Sequence, residues 1–267
     1  MNRILTLFLL LLNQAVLAQQ KMNWPDHKKA AIVLTYDDDV ISQLNIAIPQ
    51  LDSAKLKATF FITGDLNRET IPRWRQVAKK GHELANHSLY HPCSSRNDNP
   101  VASEDYTVRH MLNEIWTMNA FLFAVDGKST RTYAYPCTET EVGGKDYVDS
   151  LRRSGMIKYA RIGGDTEAIV ADFKKLDPMK VPSYGLNGNN TVDELIAYVK
   201  KVQAIGGMGV IMFHGVGGDY LNITADVHRQ LLAYLKQNKK NIWVPTFQES
   251  MDYISMQNSR QEIKSND

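Results

Sequence analysis

The chain has 267 residues, 43 % apolar and 22 % charged, with a formal net charge of +2, the balance of an ordinary globular protein. So small a charge argues against a nucleic-acid or membrane-binding surface. Two cysteines, Cys93 and Cys137, are too few for a disulfide scaffold, although an oxidising compartment allows one bridge. In chain order, Met1-Asn2-Arg3, an apolar run from Ile4 to Leu12 and the small-residue site Val16-Leu17-Ala18 read as a signal peptide over 1–18. The apolar run is too short to span a bilayer, so the expectation is export, with residues 19–267 as one domain. Apolar strands are expected at 30–36, 58–63, 82–87, 131–136, 157–162, 209–214 and 242–247. Helices are expected at 42–54, 70–80, 103–125, 143–154, 191–205, 224–238 and 248–256. Thr191-Val-Asp-Glu is a capping-box start, and Gly81 and Gly206 stand where helices should stop.

Alternation of apolar strands with helices implies a parallel sheet buried on both faces. About seven βα units without a glycine-rich dinucleotide fingerprint favour a barrel, complete or distorted. Working residues in such folds gather at the C-terminal ends of strands. Asp37–Asp39, His87, Cys137 and His214 all stand there, on four separate strands.

The sharpest local feature is Leu34-Thr-Tyr-Asp-Asp-Asp-Val40. Three adjacent carboxylates repel one another unless a cation, a proton or water compensates. A helix N-cap accounts for one of them, and a calcium loop needs spacers and a glycine that are missing. Asn86-His-Ser-Leu-Tyr-His-Pro92 places His87 and His91 four apart. Alone, that pair is more often packed or solvated than metal-bound. With a carboxylate from the acid cluster it makes a three-ligand set with open positions, the arrangement of a catalytic site. His214 ends another buried strand, and Gly215, Gly217 and Gly218 after it could form an anion-binding nest, but the P-loop pattern is absent. No Gly-x-Ser-x-Gly elbow is present, which argues against a serine esterase.

Taken in order, Thr35-Tyr-Asp-Asp-Asp39, His87-Ser-Leu-Tyr-His91, Tyr133-Ala-Tyr-Pro-Cys137 and the histidine of Ile211-Met-Phe-His214 resemble the NodB-like polysaccharide deacetylases of carbohydrate esterase family four. The resemblance runs from about Ala30 to the last helix. It implies a distorted (β/α)7 barrel. It implies Asp38, His87 and His91 as ligands of a divalent metal, usually zinc, with Asp37 as catalytic base and His214 as catalytic acid. Three departures stand out. Ala134 occupies the position of the family's motif arginine, for which Arg161 is the candidate substitute and Arg131 the second choice. The backbone N–H for the oxyanion would come from Cys137. Asp39 replaces a glycine and would perturb the base if it faced the site. The aspartate that supports the catalytic histidine in the family has no assigned counterpart among Asp165, Asp172 and Asp177. With Cys93 two residues past a ligand and Cys137 at the oxyanion position, the cysteines are expected to approach each other near the pocket and to be disulfide-bonded.

The expected function is removal of N- or O-linked acetyl groups from an extracytoplasmic polysaccharide or oligosaccharide. Alternatives are a hydrolase of another non-peptide C–N bond and a carbohydrate-binding protein without catalysis. Tyr36, Tyr90, Tyr133, Tyr135 and Tyr184 are candidates for stacking on sugar rings, and loops 92–102 and 163–190 for specificity. Nothing in the sequence indicates the oligomeric state.

Overall fold

The computed structural model describes residues 22–97, 100–163 and 167–266, with side chains to residue 260. The expected signal peptide, 1–18, lies outside the described residues. Seven strands form one curled parallel path: β7 (Tyr159–Arg161), β4 (Thr132–Ala134), β3 (Glu83–Asn86), β2 (Thr59–Ile62), β1 (Ala30–Asp37), β9 (Met208–Phe213) and β8 (Tyr184–Gly185). The two edges approach through residues 181–185, because Val181 bridges Arg161 while Tyr184 and Gly185 pair with Ile211 and Met212. A further short strand, β10 (Ile242–Trp243), pairs with the start of β1. The hairpin β5 (Glu141–Val142) and β6 (Lys145–Asp146) stands apart from the sheet. The architecture is the distorted (β/α) barrel expected from the sequence.

Side-chain parity sets what faces inward. On β1, Ala30, Ile32, Leu34 and Tyr36 pack beneath the helices, whereas Ala31 and Val33 join the inner cluster. Phe61, Ala85, Ala134, Tyr159, Met208 and Val210 share that inner cluster, which Trp24, Phe247, Met251 and Ile254 close off. Counting on by twos from these residues reaches Asp37, His87, Arg161 and His214. One inward-facing register therefore carries all four polar residues to the same barrel mouth.

The helices are α1 (Ile48–Ala54), α2 (Thr70–Lys79), α3 (Val108–Asp126), α4 (Val148–Ser154), α5 (Val192–Ile205), α6 (Ala225–Gln237) and α7 (Phe247–Asn266). The capping box of α5 forms as expected, with Gly206 closing it in the left-handed region at φ 79°. Helix α3 starts five residues later than expected, where Thr107 accepts from the His110 N–H. Helix α4 is shortened because Gly143 and Gly144, both at positive φ, turn the hairpin instead. Strand β8 was not foreseen, being two residues inside an irregular stretch. Among the described residues no helix is long and apolar enough to cross a membrane.

Candidate active site and metal centre

Adjacent strand residues point to opposite faces, so Asp37 and Asp38 meet only if the chain turns between them. It does. Asp38 and Asp39 have φ of 71° and 42°, left-handed values that non-glycine residues rarely adopt, though aspartate tolerates them better than most. Ser88, His91, Cys137 and Thr138 are also left-handed, at φ 49–64°. Left-handed backbone thus recurs at the ends of β1, β3 and β4, where it costs of order 1–3 kcal/mol per residue.

Three ligand-type atoms converge at the mouth. Asp38 Oδ1 is 3.3 Å from His87 Nε2 and 3.3 Å from His91 Nε2, and the two Nε2 atoms are 3.2 Å apart. His87 Nδ1 lies 2.9 Å from the Ala134 carbonyl, a contact that assigns its proton to Nδ1 and leaves Nε2 with a lone pair facing the centre. His91 Nδ1 lies 3.5 Å from Cys93 Sγ, which turns its Nε2 the same way. Asp38 Oδ1 is buried and accepts no aligned hydrogen bond among the described residues. Ligand atoms of a tetrahedral site with bonds of 2.0–2.1 Å stand about 3.3 Å apart, so this triangle fits zinc without rearrangement. A second grouping, His91 with Cys93 and Cys137, is ruled out as a thiolate site because the cysteines are bonded to each other.

Charges in the cluster respond to one another. Burial opposes ionisation of Asp38, but the contact with His87 and the charges of His87, His91 and His214 outweigh it and hold the carboxyl well below its usual range. Burial likewise opposes the His87 imidazolium, yet Asp38 and Asp37 raise its pKa, while burial and the neighbouring His87 push His91 down to about 4.

Asp37 is 3 % exposed, and its Oδ2 accepts from Arg161 Nη2. Arg161 also donates to Ser183 Oγ at 3.0 Å and lies over the Phe61 ring at 4.9 Å. The guanidinium thus reaches Asp37 from β7, the strand beside β4. Asp37 Oδ1 has no hydrogen-bond partner among the described residues, and Asp37 Oδ2 is 3.8 Å from His87 Nε2. His214 Nε2 is 3.7 Å from Asp38 Oδ2, and its Nδ1 has no partner among the described residues. Cys137 follows β4 and is bridged to Cys93, with Cα atoms 5.8 Å apart. The bridge ties the loop bearing His91 to the loop after β4.

Several expectations are corrected. Arg131 sits at the far end of β4, paired with Asp126 and the Leu84 carbonyl, so it does not reach Asp37. Asp172 and Asp177 lie at the surface with Lys175 and Arg152, and Asp165 lies outside the described residues. Asp39 turns from the centre and accepts from Thr63 N and Oγ1 at 2.9 and 2.8 Å; burial raises its carboxyl to about 7 despite those bonds. The glycine-rich stretch is not an anion nest, because the N–H groups of Gly215 and Gly217 bond to the carbonyls of Tyr220 and Ile223. Tyr36, Tyr133, Tyr135 and Tyr184 are buried, and Tyr90 alone of the five is exposed. Tyr90 lines a cleft of about 410 Å³ with Asp38, His91, Asp65, Leu89, Val101 and others.

Two residues were missed. Tyr220 lines the same cleft and donates to Asp38 Oδ2, and burial with the nearby Asp38 charge keeps its phenol protonated. The buried Gln43 amide donates to the carbonyls of Asp37 at 2.6 Å and His214 at 3.1 Å, joining the ends of β1 and β9. The sequence offered a weak signal for Tyr220, an aromatic six residues past a strand-end histidine, and none for Gln43.

Residues 25–155 match the family described as polysaccharide deacetylase. Over that span the chain belongs to the polysaccharide deacetylases. The matched span carries Asp37, Asp38, His87 and His91 but stops before Arg161 and His214. A putative polysaccharide deacetylase from Mycobacterium smegmatis superposes with a TM-score of 0.64 at 17 % identity, over 89 % of this chain and 94 % of its own. Peptidoglycan deacetylase PdaC from Bacillus subtilis superposes at 0.56 with 18 % identity, over 88 % and 96 % of the two chains. At such identities the likeness is one of fold. A 49-residue segment is 41 % identical to the uncharacterized protein YlxY of Bacillus subtilis, spanning 18 % of this chain and 15 % of that relative.

Proposed function

We propose that this polysaccharide deacetylase homologue is a metal-dependent hydrolase that removes acetyl groups, N- or O-linked, from a carbohydrate outside the cytoplasm. The observation that carries the reading is the triangle of Asp38 Oδ1, His87 Nε2 and His91 Nε2, with the carboxylate of Asp37 beside it. A divalent cation there, zinc by the donor set, would acidify a water and polarise the acetyl carbonyl.

The chain's own residues do the rest. Asp37 takes a proton from the attacking water through Oδ1, the oxygen that Arg161 leaves open. Arg161, held by Ser183 and Phe61, keeps the other oxygen fixed. Oxygen then bonds to the acetyl carbon, and negative charge develops on the carbonyl oxygen, where the Cys137 backbone N–H is the proposed donor. His214 gives its proton to the departing amine or alcohol as the bond to the acetyl carbon breaks, releasing acetate. Tyr90 and Tyr220 flank the cleft, offering faces to a sugar. Export is inferred from the N-terminal sequence pattern alone.

The test is acetate release from chitin oligomers, peptidoglycan fragments and acetylated xylan. It uses zinc-loaded protein, chelator-stripped protein and Asp37→Asn. Acetate from one class of substrate, lost on chelation and in the variant, is the expected result. No acetate from any of them, with zinc bound stoichiometrically, would turn the reading towards a different C–N bond or a binding role.

A further inference from the structure

Asp38 has two oxygens, and the protein treats them differently. Oδ1 faces both imidazoles at 3.3 Å, whereas Oδ2 accepts the hydroxyl of Tyr220. The loop that carries Tyr220 is built to hold it. The Gly215 N–H donates to the Tyr220 carbonyl at 3.2 Å, and the Gly217 N–H to that of Ile223 at 2.8 Å. The Asp219 carboxylate accepts from the Ser42 N–H at 2.8 Å. A Cβ on Gly215 would stand 2.1 Å from the Gly218 carbonyl oxygen, so this fold of the loop requires glycine there. Tyr220 is 52 % exposed, its ring lies 5.6 Å from the His214 ring, and it forms part of the cleft wall. His214 Nε2 lies 3.7 Å from Asp38 Oδ2.

We propose that Tyr220 is a positioning residue of the metal centre: its hydroxyl engages Asp38 Oδ2, so that Asp38 presents Oδ1 alone, in one orientation, to the cation. The inference rests on the metal-site reading above. It assigns the phenol the role of a partner that fixes a ligating carboxylate, and such partners typically contribute 10–100-fold in metal affinity.

Chelator-competition titration with Zn²⁺ of stripped wild type, Tyr220→Phe and Leu221→Ala tests this. Melting temperatures of the stripped proteins, and KM and kcat at saturating zinc, are measured alongside. Tyr220→Phe should bind zinc about 10–100-fold more weakly. Leu221→Ala, on the same loop, should bind zinc as the wild type does. Wild-type zinc affinity in Tyr220→Phe would overturn the proposal. An equal loss in Leu221→Ala would also overturn it by assigning the effect to loop structure. Failure of the wild type itself to bind zinc would refute the metal-site reading, a different outcome from failure of the phenol's role.

Discussion

Asp37 and Arg161 form an ion pair that is almost completely buried, with side chains 4 % and 1 % exposed. Removing one partner of such a pair leaves an uncompensated charge, a cost of about 3–5 kcal/mol. Arg161→Ala should therefore lose stability of that order in denaturant titration as well as activity. Asp37→Asn should keep its zinc while losing about 10²–10⁴-fold in kcat, the range for a positioned general base. Gly163 makes a finer test. A Cβ there would lie 2.8 Å from Thr138 Cγ2, 2.9 Å from Met212 Sδ and 3.3 Å from Arg161 Nη1. Gly163→Ala should push the guanidinium from Asp37, lowering kcat at unchanged zinc affinity, which steady-state kinetics and zinc titration separate.

At the level of elements, the site depends on how the strand ends are tied together. The Cys93–Cys137 bridge closes a loop of 44 residues between the segments after β3 and β4, and its chain-entropy contribution is about 4 kcal/mol. The denatured, unreduced protein should show no free thiols, and Cys93→Ser with Cys137→Ser should be less stable by roughly that amount. A different tie lies outside the barrel. His228 of α6 contacts the Tyr36 hydroxyl of β1 at 2.6 Å and the Gln50 amide oxygen of α1 at 2.6 Å. Burial pushes its imidazole down to about 3, so the folded protein holds it neutral. With an unfolded value near 6.5, the unfolded chain takes up a proton first as pH falls. Stability from this residue is complete above about pH 6.5 and declines towards about pH 3. The fall in stability over that window should be shallower in His228→Gln, as read by urea titrations at several pH values.

For the molecule as a whole, the barrel was legible because its strands are short apolar runs at helical intervals, and inward parity on β1, β3, β7 and β9 follows from counting by twos. Asp37, Asp38, His87, His91 and His214 were legible because each stands at or just beyond a strand end. The contact of Arg161 with Asp37 was also accessible, since Arg161 ends the strand beside β4. What the sequence withheld depends on loop conformation. The turn at Asp38 and Asp39 sends one carboxylate to the centre and the next to Thr63, and nothing local in three identical residues distinguishes them. The buried tyrosines were misjudged for a related reason: an aromatic residue on a doubly covered strand packs under a helix as readily as it meets a sugar. Anomalous scattering at the zinc edge from crystals of zinc-loaded protein tests the central claim most directly. The account predicts one peak, within bonding distance of Asp38 Oδ1, His87 Nε2 and His91 Nε2 together. A peak elsewhere, or none at that triangle, would contradict it.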